Sequence, residues 1–274
     1  MVRIPLGDYV EIFIDWLTDN FAGFFEGIKS ALEATINGFE WVFSTIPFIL
    51  MILIFAAIAW KVAGRQTGIL TGLGLWLIGS MELWNATMQT FALVSTATAI
   101  ALIIGIPLGI WMSRSNTLDK ILRPILDFMQ TMPAFVYLIP AVYFFDLGPV
   151  PGAVATVIFA MPPVVRLTSL GIRQVPKEVI EASRSFGSTS SQLLYKVQIP
   201  LAMPTILAGL NQTILLSLSM VVISAMIGSG GLGDVVLKGI TQMRIGLGFE
   251  GGLAVVILAM VLDRITQNLG QKRG

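Results

Sequence analysis

Long apolar runs alternate with short polar ones along most of this chain. Stretches rich in Leu, Ile, Val, Ala and Phe cover residues 41–60, 68–84, 88–112, 128–145, 150–165, 206–228 and 247–262. Each approaches the length a helix needs to cross a hydrocarbon layer about 30 Å thick, so the pattern predicts seven spans. The last is the weakest, because its uninterrupted apolar stretch is only 253–262 and Glu250 precedes it. Trp41 and Trp60 bracket the first span. At about 1.5 Å per residue they would stand about 28 Å apart on one helix, one at each interface.

Ahead of the spans the period changes. Val10, Phe13, Ile14, Leu17, Phe21, Phe24, Phe25, Ile28, Leu32, Ile36 and Phe39 recur at helical spacing. Asp8, Glu11, Asp15, Asp19, Glu26, Glu33 and Glu40 fall on the opposite face, with Ile12 and Trp16 as exceptions. This predicts an amphipathic helix lying on a membrane surface, a scaffold around the bundle, with breaks expected at Gly23, Gly27 or Gly38. The expected fold is all-α and polytopic. Residues 1–40 form the external surface helix, 41–86 two peripheral spans, and 87–274 a five-span core with a polar insert at 176–200.

Composition strengthens the membrane assignment. The 274 residues are 55% hydrophobic and 12% charged, with a mean hydropathy of +0.83, and a water-soluble fold of this make-up would expose large apolar areas. The chain has no cysteine and no histidine. That excludes disulfides, thiol chemistry and imidazole acid–base or zinc-ligand roles. The opening residues lack the basic, apolar and small-residue order of a removable signal peptide.

Charge sets the expected orientation. With the N-terminus outside, the inner segments collect Lys61, Arg65, Arg114, Lys120, Arg123, Arg166, Arg173, Lys177, Arg184, Lys196, Arg264, Lys272 and Arg273, most of the 17 basic residues. Arg3, Lys29, Lys238 and Arg244 remain outside. The opposite orientation violates the positive-inside bias. The C-terminus and the polar insert are therefore expected in the cytoplasm.

The insert carries its own local signals. Pro176 suits a first helical turn, and Glu178 and Glu181 favour its N-terminal dipole. Gly187 can end that helix at positive φ. Thr189 followed by Gln192 fits a capping box for a second short helix, with Pro200 expected to close it. Glu181, Ala182, Ser183, Gly187, Val197, Ile199 and Pro200 resemble the EAA loop of type I ABC importer permeases. In this chain Ser183 stands in place of the second Ala and Ile199 in place of Leu. MQTMPAFVYLIP at 129–140, FAMPP at 159–163, AMIGSGGLGD at 225–234 and LDRITQN at 262–268 extend the resemblance to permease subunits of glycine betaine importers, the OpuAB/ProW group.

That resemblance implies a non-catalytic membrane subunit. Its insert would seat in a groove of a separate ABC ATPase through Glu181, Ala182, Ser183 and Gly187. ATP and Mg would be bound by that partner, and this chain would carry no cofactor. It further implies a second permease copy, an extracytoplasmic substrate-binding protein, and a prokaryotic plasma membrane, with no nucleic-acid partner. The residues agree. No GxxxxGK[ST] phosphate loop occurs, and Asp146, Arg166, Asp263 and Arg264 fall near span ends, leaving no buried carboxylate relay for ion coupling. Met129, Met132, Asn211, Gln212, Ser217 and Met220 are the candidate pathway residues, on spans that also hold helix breakers at Pro107, Pro133, Pro140, Pro162 and Pro163. A permease for another small solute, such as an amino acid, and a passive osmosensor or channel are the competing readings.

Overall fold

In a computed structural model, residues 5–269 are described, so Arg3, Lys272 and Arg273 of the charge argument lie outside the described residues. The described chain is helical throughout. It opens with α1 (Leu6–Thr45), α2 (Phe48–Ala63), α3 (Arg65–Ser80), α4 (Trp84–Arg114) and α5 (Asn116–Thr131). A 3-10 turn at Ala134–Tyr137 leads into α6 (Leu138–Phe145) and then α7 (Pro149–Arg173). The insert forms α8 (Lys177–Ser185) and α9 (Ser190–Gln192), and a π-helical stretch at Leu193–Gln198 joins α9 to α10 (Ile199–Ala225). The chain closes with α11 (Gly231–Thr241) and α12 (Ile245–Leu269).

Three helices form the centre, with α7 held between α4 and α10. Small residues permit the approach. A β-carbon on Gly109 of α4 would lie 2.6 Å from the Val165 carbonyl oxygen, and one on Gly209 of α10 would lie 3.1 Å from the Val164 Cα. Between helices already in an apolar medium, such close backbone packing supplies the attraction that water expulsion supplies elsewhere. A second cluster joins Leu75 and Ile78 of α3 to Leu232 of α11 and to Ala254, Ile257 and Val261 of α12.

The span pattern holds in part. Among the described residues, four continuous helices are long and apolar enough to cross a membrane: α4, α7, the unit Ser190–Ala225, and α12. The weakest expected span is thus a full 25-residue helix with Glu250 inside it. Two expected spans are instead bent pairs. α1 and α2 meet at 102°, because Pro47 holds Ile46 extended at ψ 128°. Trp41 and Trp60 consequently sit on different helices and cannot mark the two ends of one straight rod. The run at 128–145 breaks at Met132–Pro133, where α5 and the segment ending in α6 meet at 107°. The expected second span also shortens: α3 ends at Ser80, Glu82 takes φ +60°, and Trp84 begins the next helix.

α1 is amphipathic as expected, with Ile36 buried against Leu93 and Ala153. Its departure from helical geometry is at Phe21 (φ −121°, ψ 21°), and Gly23, Gly27 and Gly38 remain helical. Lys29 donates to Asp146 at 2.6 Å, the Tyr143 hydroxyl donates to Asp15, and Phe25 stacks on Phe144 with ring centroids 4.4 Å apart. Side chains of α1 therefore brace α6.

The turn between α10 and α11 is built from glycine, with Gly228, Gly230 and Gly231 all at positive φ. α4 caps the helix that follows. The Gly231 N–H donates to Gln89 Oε1 at 3.2 Å and the Leu232 N–H to Thr90 Oγ1 at 2.8 Å.

Candidate functional site: the helix–turn–helix insert

The polar insert folds as a tight bend. α8 begins at Lys177 behind Pro176, which precedes the first turn and caps it from φ −55° and ψ 137°. It ends in a Schellman arrangement. The Gly187 N–H donates to the Arg184 carbonyl at 2.9 Å and the Ser188 N–H reaches back to the Ser183 carbonyl at 3.2 Å. The reversal requires a left-handed residue, and Gly187 supplies it at φ +81°. Thr189 then starts α9 with both halves of the capping box: the Gln192 N–H donates to Thr189 Oγ1 at 3.3 Å, and the Thr189 N–H donates to Gln192 Oε1 at 2.9 Å.

Ser183 has a local role of its own. Its hydroxyl donates to the Ser188 Oγ at 2.9 Å, closing the bend from one side. Glu181 and Ala182 lie exposed on the last turns of α8, and Gly187 is exposed at the apex. A β-carbon on Gly187 would meet nothing within 4 Å. The apex is therefore an open, protruding surface.

Phe186 is the residue that sequence reasoning missed. It caps α8 beside Gly187, and 91% of its surface is exposed. An isolated aromatic between Ser185 and a bend glycine was the available signal. A rigid ring held out at an apex is the kind of group that anchors a protein interface. Phe186→Ala is expected to weaken retention of a groove-forming partner by about 2 kcal/mol, roughly thirtyfold in Kd. Titration of the detergent-solubilised variant with the purified partner measures it, and unchanged affinity would remove Phe186 from the contact.

Pro200 does not close the second short helix, as its position after the capping box suggests. Instead the helix continues from Ser190 to Ala225 without interruption. The π-helical stretch Leu193–Gln198 shifts the hydrogen-bond register just ahead of Pro200, and proline falls in the first turn of α10, where its missing N–H is tolerated. The bend and α10 are one mechanical piece.

The pathway candidates divide. Gln212 is exposed on α10 in a stripe with Pro204, Ala208, Leu215 and Ser219. Asn211 turns instead toward α12, donating to Asp263 at 2.8 Å and accepting from Thr266 at 2.6 Å. Ser217 is buried and donates to the Thr213 carbonyl at 2.8 Å. Met220 is buried in a cluster with Tyr137 and Ala155 that Met132 also joins. Met129 packs elsewhere, beside Leu126 and Val165. The six candidates thus do not converge on one surface.

Known proteins share this architecture. The family described as binding-protein-dependent transport system inner membrane component matches residues 101–274. Over 271 residues the chain is 53% identical to the glycine betaine transport system permease protein OpuAB of Bacillus subtilis (strain 168), covering 99% of this chain and 96% of that protein. It is 51% identical to the glycine betaine/proline betaine transport system permease protein ProW of Escherichia coli (strain K12), covering 98% of this chain and 76% of that one. Among solved structures, an inward facing conformation of the MetNI methionine ABC transporter matches with a TM-score of 0.59 at 21% identity, over 67% of this chain and 93% of that chain. At that identity the likeness is one of fold.

Proposed function

Because the chain belongs to the binding-protein-dependent transport system inner membrane components, we propose that it is the permease through which an ATP-driven importer moves glycine betaine or a related quaternary amine. The observation that carries this reading is the likeness, over nearly the whole chain, to permeases named for glycine betaine. ATP and Mg belong to a partner ATPase; this subunit is the non-catalytic membrane component.

The proposed cycle runs through the insert. Glu181, Ala182, Ser183, Phe186 and Gly187 seat in the ATPase, and closure of two ATPases around ATP draws two inserts together. Each insert moves its own α10 as a unit, which turns the path between two permease copies outward. Hydrolysis returns it inward. The exposed α10 stripe with Gln212 and Ser219 lines that path in this reading, supported by its being apolar with sparse hydroxyl and amide groups. Weak contacts suit a zwitterion that must leave as readily as it enters. Buried Met220 and Ser217 shape the wall from behind, as does Asn211 through α12, and Met129 and Met132 sit at the break between α5 and α6.

The excess of basic residues on one set of loops supports an external N-terminus and a cytoplasmic C-terminus. In this reading the described part of residues 1–40 serves as an external scaffold helix, 41–86 as two peripheral transmembrane spans and 87–274 as the translocating core. Two identical permeases and an extracytoplasmic binding protein complete the assembly.

Uptake of labelled glycine betaine into proteoliposomes holding this chain, its ATPase and its binding protein tests the reading. Accumulation that depends on ATP, with competition by other quaternary amines, is expected. Preferred uptake of an amino acid, or flux through the chain alone without ATP, would overturn it.

A further inference from the structure

Outside the insert, a strongly basic concavity lies where the end of α4 meets α5 and the last turns of α7. It encloses about 530 Å³ and brings Arg123, Arg166 and Arg173 together with a single carboxylate, Asp127. We propose that this cleft seats the phosphate headgroup of an anionic phospholipid.

The arginines are graded in depth. Arg173 ends α7, and Arg166 lies two turns further in, about 10 Å along the helix. Arg173 is fixed at the mouth, donating to the Met112 carbonyl at 2.8 Å and to Asn116 Oδ1 at 3.0 Å. Arg166 donates to Asp127 at 2.5 Å through one terminal nitrogen, and its Nε is buried with no partner. Arg123 pairs with Asp119 at 3.0 Å, and Arg173 approaches the same carboxylate at 3.9 Å. One aspartate thus serves two arginines, and the three guanidiniums together exceed the two carboxylates around them.

The walls define the rest of the ligand. Met112, Leu167 and Leu170 line the cleft, and Leu170 is exposed. A headgroup in the cleft would have its acyl chains on this apolar surface, while a soluble phosphate would leave the surface uncovered. Planar guanidiniums match phosphate oxygens in pairs, and basic clefts at the ends of membrane helices have the charge and depth of lipid headgroups. The proposal rests on the membrane placement of α4 and α7 and is independent of which solute is transported.

The test uses the permease copurified with its ATPase, titrated with phosphatidylglycerol or phosphatidylcholine of the same chains and read by native mass spectrometry. Preferential retention of phosphatidylglycerol is expected. Arg123→Gln should weaken it about fivefold, in line with the contribution of one basic residue near a charged headgroup. The double variant Asp127→Asn/Arg166→Gln, which leaves the net charge unchanged and removes the deeper guanidinium as a phosphate donor, should also weaken it, and Lys177→Gln should not. Equal retention of the two lipids, or unchanged retention in both cleft variants, overturns the proposal. So does displacement of bound phosphatidylglycerol by glycerol 1-phosphate at equal concentration, which would assign the cleft to a soluble phosphate. Glycine betaine uptake, measured in parallel, reports separately on the transport reading.

Discussion

Gly187→Asp is expected to leave the protein inserted and folded while reducing ATP-driven uptake about a hundredfold or more. Gly187 holds φ +81° at an apex where a β-carbon would meet no atom within 4 Å. Aspartate is among the few residues that tolerate this left-handed backbone, so the bend itself survives the substitution. What changes is the surface proposed to meet the ATPase. A carboxylate pressed into a protein groove without a partner costs roughly 3 to 5 kcal/mol, and even a small misplacement of a coupled machine is magnified in its rate. The check is uptake in proteoliposomes together with ATPase copurification. Normal uptake by this variant would remove the bend from the coupling route.

Gly233→Val has the largest expected effect on folding. Gly233 lies in α11 against α10, and a β-carbon there would stand 2.1 Å from the Val221 carbonyl oxygen and 2.8 Å from its carbonyl carbon. Backbone atoms cannot rotate aside as a side chain would. The helices must separate, with a loss above about 3 kcal/mol, the upper end for overpacked cores. Most of the protein should be lost as aggregate on detergent extraction, measured by size-exclusion yield and thermal unfolding. Gly72→Ala is the contrast. Its new methyl would lie 3.7 Å from the Ala56 Cβ, an ordinary contact, and its yield should match the parent protein.

The two substitutions mark what could be read from the amino-acid order and what could not. The bend was legible because its determinants are local: a glycine for positive φ, a Thr and a Gln three apart for the cap, a proline ahead of the first helix. The apolar runs at 88–112, 150–165 and 206–228 were legible for the same reason, since each is a single uninterrupted period. The run at 41–60 was misread because hydropathy sums over residues and does not register that Pro47 redirects the chain. Pro200 misled in the opposite sense, since only the π-helical register ahead of it shows how the helix passes through. The pathway residues were the least legible. Asn211 and Gln212 are neighbours in sequence, yet one is tied to Asp263 while the other is exposed. Which of two adjacent side chains is exposed depends on partner helices far along the chain.

The unbroken run from Ser190 to Ala225, 36 residues, corresponds to a rod about 54 Å long. With the bend fused to one end and the π-helical stretch and Pro204 lying within one continuous helix, a displacement of the bend is carried into α10. Tilting an arm of that length by about 10° sweeps its far end through about 9 Å, wider than a small zwitterion. In the proposed transport cycle, a modest shove on one side of the bilayer would be geared up into an opening on the other.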